Sequence, residues 1–226
     1  MSDPLSLIVS TRNSGKIREF ERFLGPLGFA LSTAASRQVP EVDETGDTLA
    51  ANALLKATAA YRATGCCALA DDTGLMVDAL DGAPGIHAAR FAGPDATYDD
   101  NNRLLLERLS GVPYAQRTAS FVCVLALLVP RHLASRLDTP LVGALDDMVE
   151  GARVVCVEGR IEGQILTESR GVAGFGYDPI FYCPDVGKTF AEMNLAEKNT
   201  VSHRSRALRA LAEILADLAR RPPVEI

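Results

Sequence analysis

The sequence has no surplus of positive charge, no paired-cysteine motif and no long apolar run, and each absence excludes a class of function. A general nucleic-acid surface needs an excess of Lys and Arg to neutralise phosphates, whereas the net charge here is -6. A single nucleotide needs only a few local cations, so that partner stays open. The five cysteines, Cys66, Cys67, Cys123, Cys156 and Cys183, are odd in number and form no C-x-x-C pair. They read as small core residues of a reducing compartment, not a disulfide framework or zinc site. No basic segment followed by a long apolar run opens the chain, and no stretch approaches about twenty apolar residues. The expectation is a cytoplasmic protein with no nucleic-acid partner and no membrane partner.

What is present is a 226-residue chain, 47% hydrophobic and 23% charged, without repeats or linkers. That is enough for one domain, residues 1–226, with a well-buried core and room for two lobes. The stretch ALADDTGLMVD at 68–78 stands out. An apolar run ends in Asp71 and Asp72, then a Thr-Gly turn is expected before a second apolar run. If 68–70 form a strand, alternation sends the two carboxylates to opposite faces, one serving the turn and one facing a cleft. Carboxylates at the end of a core strand are costly unless hydrogen-bonded, paired or metal-bound. An Asx-type turn explains the same residues without chemistry.

Ahead of it, LSLIVS at 5–10 reads as a strand, TRNSGK at 11–16 as a polar loop and residues 17–24 as an amphipathic helix. Strand, glycine-containing loop and helix is an arrangement that can receive a phosphate, with Lys16 in the first helical turn. It is not a Walker A loop, because Ser10 and Ile17 stand where that pattern needs Gly and a hydroxyl residue. Any metal must therefore be held by carboxylates elsewhere. After a weak strand at 29–33, an acidic loop carries Glu41, Asp43, Glu44 and Asp47. An Ala- and Leu-rich helix over 48–64 follows, with Thr48, Asn52 and Lys56 in a narrow polar stripe. Lys56 either snorkels to solvent or faces an internal polar cleft.

Further on, residues 81–87 read as turns, 101–109 as a helix and 117–129 as a central strand. Two strands are expected at 154–158 and 160–166, joined by a turn at Gly159, and a surface loop with a helical turn over 130–151. GVAGFGYDPIF at 171–181 combines glycines with Phe175 and Tyr177. Such a stretch either stacks an aromatic on a planar base or is a hinge whose aromatics fill the core. Lys188, Lys198, His203, Arg204 and Arg206 precede a last amphipathic helix over 205–218. His203 and Arg204 just ahead of that helix either present donors or are solvated.

The ordered set is TRNSGK at 11–16, DETG at 43–46 with NALLK at 52–56, ADDTGL at 70–75 with GAPGI at 82–86, GFGYDPIF at 174–181, and KTFAEM at 188–193 through to SHR at 202–204. It closely resembles the Ham1/RdgB family, the inosine or xanthosine triphosphate pyrophosphatases. The resemblance implies an α/β fold with an elongated mixed central sheet, flanking helices and two lobes around a nucleotide cleft, usually in a homodimer. It implies Mg²⁺-dependent hydrolysis of ITP, dITP and XTP to the monophosphate and pyrophosphate. By matching position, Thr11, Arg12, Asn13, Ser14, Gly15 and Lys16 correspond to the triphosphate loop. Glu44 and Asp72 correspond to the metal carboxylates, Asp72 also being the proton acceptor, and Lys16 and Lys56 to the phosphate-side lysines. Thr73, Phe175, Gly176, Tyr177, Asp178, Lys198, His203 and Arg204 correspond to substrate contacts. Thr73 stands where Ser is common, and the 130–151 segment is longer than in compact members. A Maf-like pyrophosphatase and a nucleotide-binding protein without turnover are the alternatives.

The residues themselves agree with that chemistry. Lys198 and Arg204 can only donate hydrogen bonds, and His203 can donate. Donors suit the 6-oxo group of hypoxanthine or xanthine and leave unpaired groups against the 6-amino group of adenine.

Overall fold

A computed structural model describes residues 4–134, 137, 148–149 and 151–220. The chain runs β1 (Ser6–Val9), α1 (Ser14–Leu24), β2 (Ala30–Thr33), α2 (Leu49–Thr64), β3 (Cys67–Val77), β4 (Pro84–Gly85), α3 (Tyr98–Arg108) and β5 (Thr118–Pro130). It continues with α4 (Arg131–Ala134), β6 (Met148–Val149), β7 (Ala152–Ile165), β8 (Phe181–Cys183), β9 (Lys188–Thr189), α5 (Leu195–Val201) and α6 (His203–Arg220). The strands form a mixed sheet in the order β2-β1-β3-β5-β7-β8-β9, with β4 added to β3 and β6 to β7. β1 is parallel to both β2 and β3, while β7, β8 and β9 pair antiparallel.

Two compact units share the chain, one of residues 1–72, 124–158 and 207–226, the other of residues 73–123 and 159–206. The first has an alanine-rich core. Ala53 and Ala57 of α2 pack with Ala70, Ala126, Leu128, Ala152 and Val154 of the strands. Small side chains on both surfaces let a helix lie close to a sheet, which explains why α2 is rich in Ala. The second unit is packed around Phe121, Phe181 and Phe190, whose ring centroids lie 4.6–5.7 Å apart. Leu75, Leu105, Ile161 and Ile180 belong to the same cluster.

The structure corrects two turns expected from glycine. β3 runs unbroken through Asp71, Asp72, Thr73 and Gly74. Gly74 serves close approach: a Cβ there would meet the carbonyl oxygen of Gly85 in β4 at 2.8 Å. Likewise β7 is one strand, and from Glu158 to Ile165 its residues alternate outward and inward without a break at the buried Gly159.

Helix starts also move. α1 begins at Ser14, where the Asn13 side chain accepts from the backbone N–H groups of Gly15 and Lys16. α3 begins at Tyr98 because Thr97 and Asp100 form a capping box. α6 begins at His203, so His203 and Arg204 are its first residues and do not precede it. The expected helical turn within 130–151 is α4; residues 135–136, 138–147 and 150 of that loop lie outside the described residues. Among the described residues no helix is long and apolar enough to cross a membrane.

Candidate active site

Alternation along β3 gives each adjacent carboxylate its own lysine. Asp71 is buried and meets Lys16 Nζ through Oδ2 at 2.9 Å. Asp72, also buried, meets Lys56 Nζ through Oδ1 at 3.0 Å. Neither carboxylate serves a turn, and both are neutralised in place.

Lys56 reaches inward from α2, not outward to solvent. Its ammonium also meets Glu44 Oε1 at 2.5 Å, so two carboxylates converge on one cation. Burial lowers the lysine's pKa, but the charges of Asp71, Asp72 and Glu44 outweigh it and leave the ammonium held above its usual value. For Asp72 the burial of a charge dominates and raises the carboxyl above its ordinary pKa, although Lys56 pulls the other way.

Asn52, one helical turn before Lys56, donates from Nδ2 to Asp72 Oδ2 at 3.3 Å and accepts from the Gly46 N–H at 2.8 Å. Sequence reasoning placed Asn52 in the polar stripe but gave it no role, and it passed over the Asp71–Lys16 pair. The i, i+4 spacing of Asn52 and Lys56 was the available signal.

The loop before α1 is organised by its own side chains. Asn13 Oδ1 accepts from Gly15 N at 2.9 Å and Lys16 N at 3.1 Å, and Thr11 Oγ1 accepts from Asn13 N at 3.3 Å. Arg12 Nη2 donates to the Val39 carbonyl at 3.3 Å. Ser14 and Gly15 open the helix. The Gly15 and Lys16 N–H groups are therefore capped by Asn13, and an anion there would compete with that oxygen.

In the second unit the expected nucleoside contacts are almost closed to solvent. Lys198 Nζ donates to Asp178 Oδ2 at 2.6 Å, and the same oxygen accepts from Phe175 N at 2.8 Å. The ammonium also lies 4.9 Å from the Phe175 ring centre and 5.1 Å from that of Phe190. His203 stacks on Phe121 with centroids 4.7 Å apart and planes at 17°. Arg204 is fully buried and donates from Nη2 to Thr73 Oγ1 at 3.2 Å. Gly176 presents its carbonyl to Asn102 Nδ2 at 3.1 Å. Of the two aromatics flanking Gly176, Phe175 stays partly exposed. Tyr177 turns into the core, where its hydroxyl donates to the Ala88 carbonyl at 2.9 Å.

Glu44 and Asp72 are the residues that could hold a metal. Among the described residues no group of three or more His, Cys, Asp or Glu converges on one point, so an all-protein cage is not what they offer. Mg²⁺ is commonly held by one or two carboxylates together with substrate phosphates. Lys16 and Lys56 against Glu44, Asp71 and Asp72 leave one negative charge uncompensated, and the donors are hard oxygens. The residues fit a magnesium ion shared with a phosphate.

Comparison with known proteins shows the family. The model of the Ham1 family matches residues 7–214. A dITP/XTP pyrophosphatase of Exiguobacterium is 46% identical, over 93% of this chain and 97% of its own. One of Thermus thermophilus is 44% identical, over 98% and 96%. Among solved structures, a HAM1 protein from Coxiella burnetii superposes with a TM-score of 0.80 at 37% identity, covering 94% of this chain and 99% of its own. The Staphylococcus aureus Ham1 protein gives 0.75 at 33% identity, covering 93% and 97%. The chain belongs to the Ham1 family.

Proposed function

We propose that this protein hydrolyses deaminated purine nucleoside triphosphates, dITP, ITP and XTP, at the α–β phosphoanhydride bond, releasing the monophosphate and pyrophosphate. The reading is supported by relatives named dITP/XTP pyrophosphatase at 42–46% identity and is carried by one observation. Asp72 is buried with one carboxylate oxygen on Lys56 and the other on Asn52, and the next residue, Thr73, is held by Arg204.

In this reading the loop from Thr11 to Lys16 and the Lys56 ammonium take the triphosphate, whose roughly four negative charges need several cations in a water-poor site. Asp72 accepts the proton of the attacking water, a role suited to a carboxylate whose two oxygens are oriented by Lys56 and Asn52. Lys16 stabilises charge on the departing pyrophosphate. Mg²⁺, held by Glu44 and Asp72, would supply Lewis acidity toward the phosphoryl oxygens. Phe175 offers a ring face to the base, and Lys198, His203 and Arg204 offer donors to a 6-oxo purine. Asp178 fixes the direction of Lys198 through their 2.6 Å bond. Membership of the Ham1 family sets the Maf-like alternative aside, and the presence of Lys16, Glu44 and Asp72 argues against binding without turnover. A homodimer and a cytoplasmic location belong to the same proposal, the first checked by sedimentation.

The test is incubation with dITP, XTP, dATP and dGTP in the presence of Mg²⁺, measuring pyrophosphate and orthophosphate separately. Release of pyrophosphate from dITP and XTP at rates far above dATP and dGTP is expected. Equal rates on all of them, or orthophosphate as the product, would overturn it.

A further inference from the structure

Asn52 is an unfavourable choice for its place in α2 on local grounds. It is fully buried in an alanine-rich helix. There Asn is a weaker helix former than Ala, and a buried amide is costly unless both of its ends are satisfied. Both ends are satisfied, and by the two segments that carry the proposed metal carboxylates. Nδ2 donates to Asp72 Oδ2 on β3, while Oδ1 accepts from the N–H of Gly46, two residues after Glu44 in the acidic loop.

The surroundings leave the bracket little play. A Cβ on Gly46 would lie 2.8 Å from Asn52 Oδ1 and 2.7 Å from Ala51 Cβ, so the loop approaches as closely as a glycine allows. Thr48 caps the helix by accepting from Ala51 N at 3.1 Å, which fixes where α2 begins and hence where residue 52 points. One helical turn on, Lys56 takes the other oxygen of Asp72 and reaches Glu44 directly. Asp72 therefore has one oxygen oriented by each residue, and only Asn52 does so without adding charge.

We infer that Asn52 is a positioning residue that sets the spacing of Glu44 and Asp72 and so determines how tightly the enzyme holds its divalent metal. The inference rests on the proposed function for the reaction but concerns metal affinity, which can be read without turnover. Partners behind metal-binding carboxylates commonly matter by about 10–100-fold in affinity or activity.

The experiment uses full-length protein, Asn52→Ser and Gly46→Ala, the second pushing on the same bracket from the loop side. Mn²⁺ is titrated by electron paramagnetic resonance into protein with and without saturating inosine monophosphate, which supplies phosphate oxygens for the ion but is not turned over. In parallel, the Mg²⁺ concentration for half-maximal turnover of dITP and the KM for dITP at saturating metal are measured. Asn52→Ser is expected to raise the metal requirement by about 10–100-fold, leave the KM at saturating metal within about twofold, and regain kcat as metal is added. Gly46→Ala is expected to shift the same quantity in the same direction. Wild-type metal dependence in either folded variant would overturn the inference, as would a lower kcat and melting temperature at unchanged metal requirement, the signature of a merely structural role. If Asn52→Ser does not fold, Gly46→Ala decides. If the wild type releases no pyrophosphate, the functional reading fails while Mn²⁺ binding still tests the bracket.

Discussion

In the first unit the Lys56 ammonium is shared by Glu44 and Asp72, with side chains 16%, 28% and 8% exposed; in the second, Lys198 meets Asp178, at 6% and 4%. The former set has more carboxylates than ammonium groups and keeps one edge wet. Such a cluster can rearrange when a cation and a polyanion arrive, because Glu44 can swing and Lys56 can change partner. The latter is charge-balanced, capped by the faces of Phe175 and Phe190, and bonded to backbone through Phe175 N. It behaves as a fixed template. Similar chemical pieces thus take two forms, unbalanced and partly wet in one unit and matched and dry in the other, and the proposed function gives the first to catalysis and the second to recognition. The surrounding cores follow suit, alanine-rich under the first cluster and aromatic under the second.

The most damaging way to break this comparison is Lys198→Met. Removing one partner of a buried pair takes the Lys198 ammonium away from a buried Asp178, a change that costs about 3–5 kcal/mol in such pairs. A drop of many degrees in melting temperature is expected, together with loss of activity; an unchanged melting temperature would show that the pair is not a dry template. Next in size is Asp72→Asn. Loss of the base is expected to lower kcat by about 10²-fold or more with a modest change in affinity.

The stability of Asp72→Asn should move little, and the sign follows from linkage. Burial raises the Asp72 pKa above 3.8 in the folded protein, so the native state binds this proton more tightly than the unfolded chain does. Its contribution to stability therefore falls as pH rises from the unfolded value through the folded one, and above that the ionised carboxylate works against folding. Asparagine carries no such penalty, which offsets part of the cost of breaking the ion pair with Lys56. Thermal unfolding at neutral pH should place the variant within a few degrees of wild type. Lys56→Met should cost more stability than Asp72→Asn, because Glu44 can turn to water but Asp72 stays buried without this ammonium; kcat should fall as well.

The chemistry-bearing residues were legible in the sequence because they sit in short ordered blocks, and most elements were legible from apolar periodicity. What could not be read was pairing over distance. Lys16 and Asp71 lie in separate blocks, and nothing local says that the lysine takes Asp71 while Lys56 takes Asp72. Glycine misled twice, since Gly74 is needed for close approach to β4 and Gly159 simply continues an alternating strand. α5 was missed because seven residues are too few for periodicity, although its capping box, Asn194 with Glu197, is written in the sequence. The neighbouring box, Thr189 with Glu192, was equally available.

Those capping carboxylates provide the mildest test, a pH dependence opposite in sign to that of Asp72. Glu192 is held below its ordinary 4.5 first by the Thr189 backbone N–H, with burial opposing and Arg170 adding to the lowering. Glu197 is held below 4.5 by Lys188 and by the Asn194 backbone N–H. A carboxylate with a depressed folded pKa contributes stability that is fully present above its unfolded pKa and is lost as pH falls through the folded one. The window therefore opens near pH 4.5 and extends below it. Both groups are partly exposed at the surface of the second unit, so the effect should be small and reduced by salt. Hydrogen exchange should show amides of residues 189–201 losing protection as pH drops from 5 to 3, with a correction for intrinsic exchange. In Glu192→Gln and Glu197→Gln the added loss should disappear, since neither side chain then titrates. Were protection around Asp72 to decline in the same window with the same slope, the two clusters would not differ in kind, because burial should make that carboxylate easier to protonate and its contribution more favourable in acid.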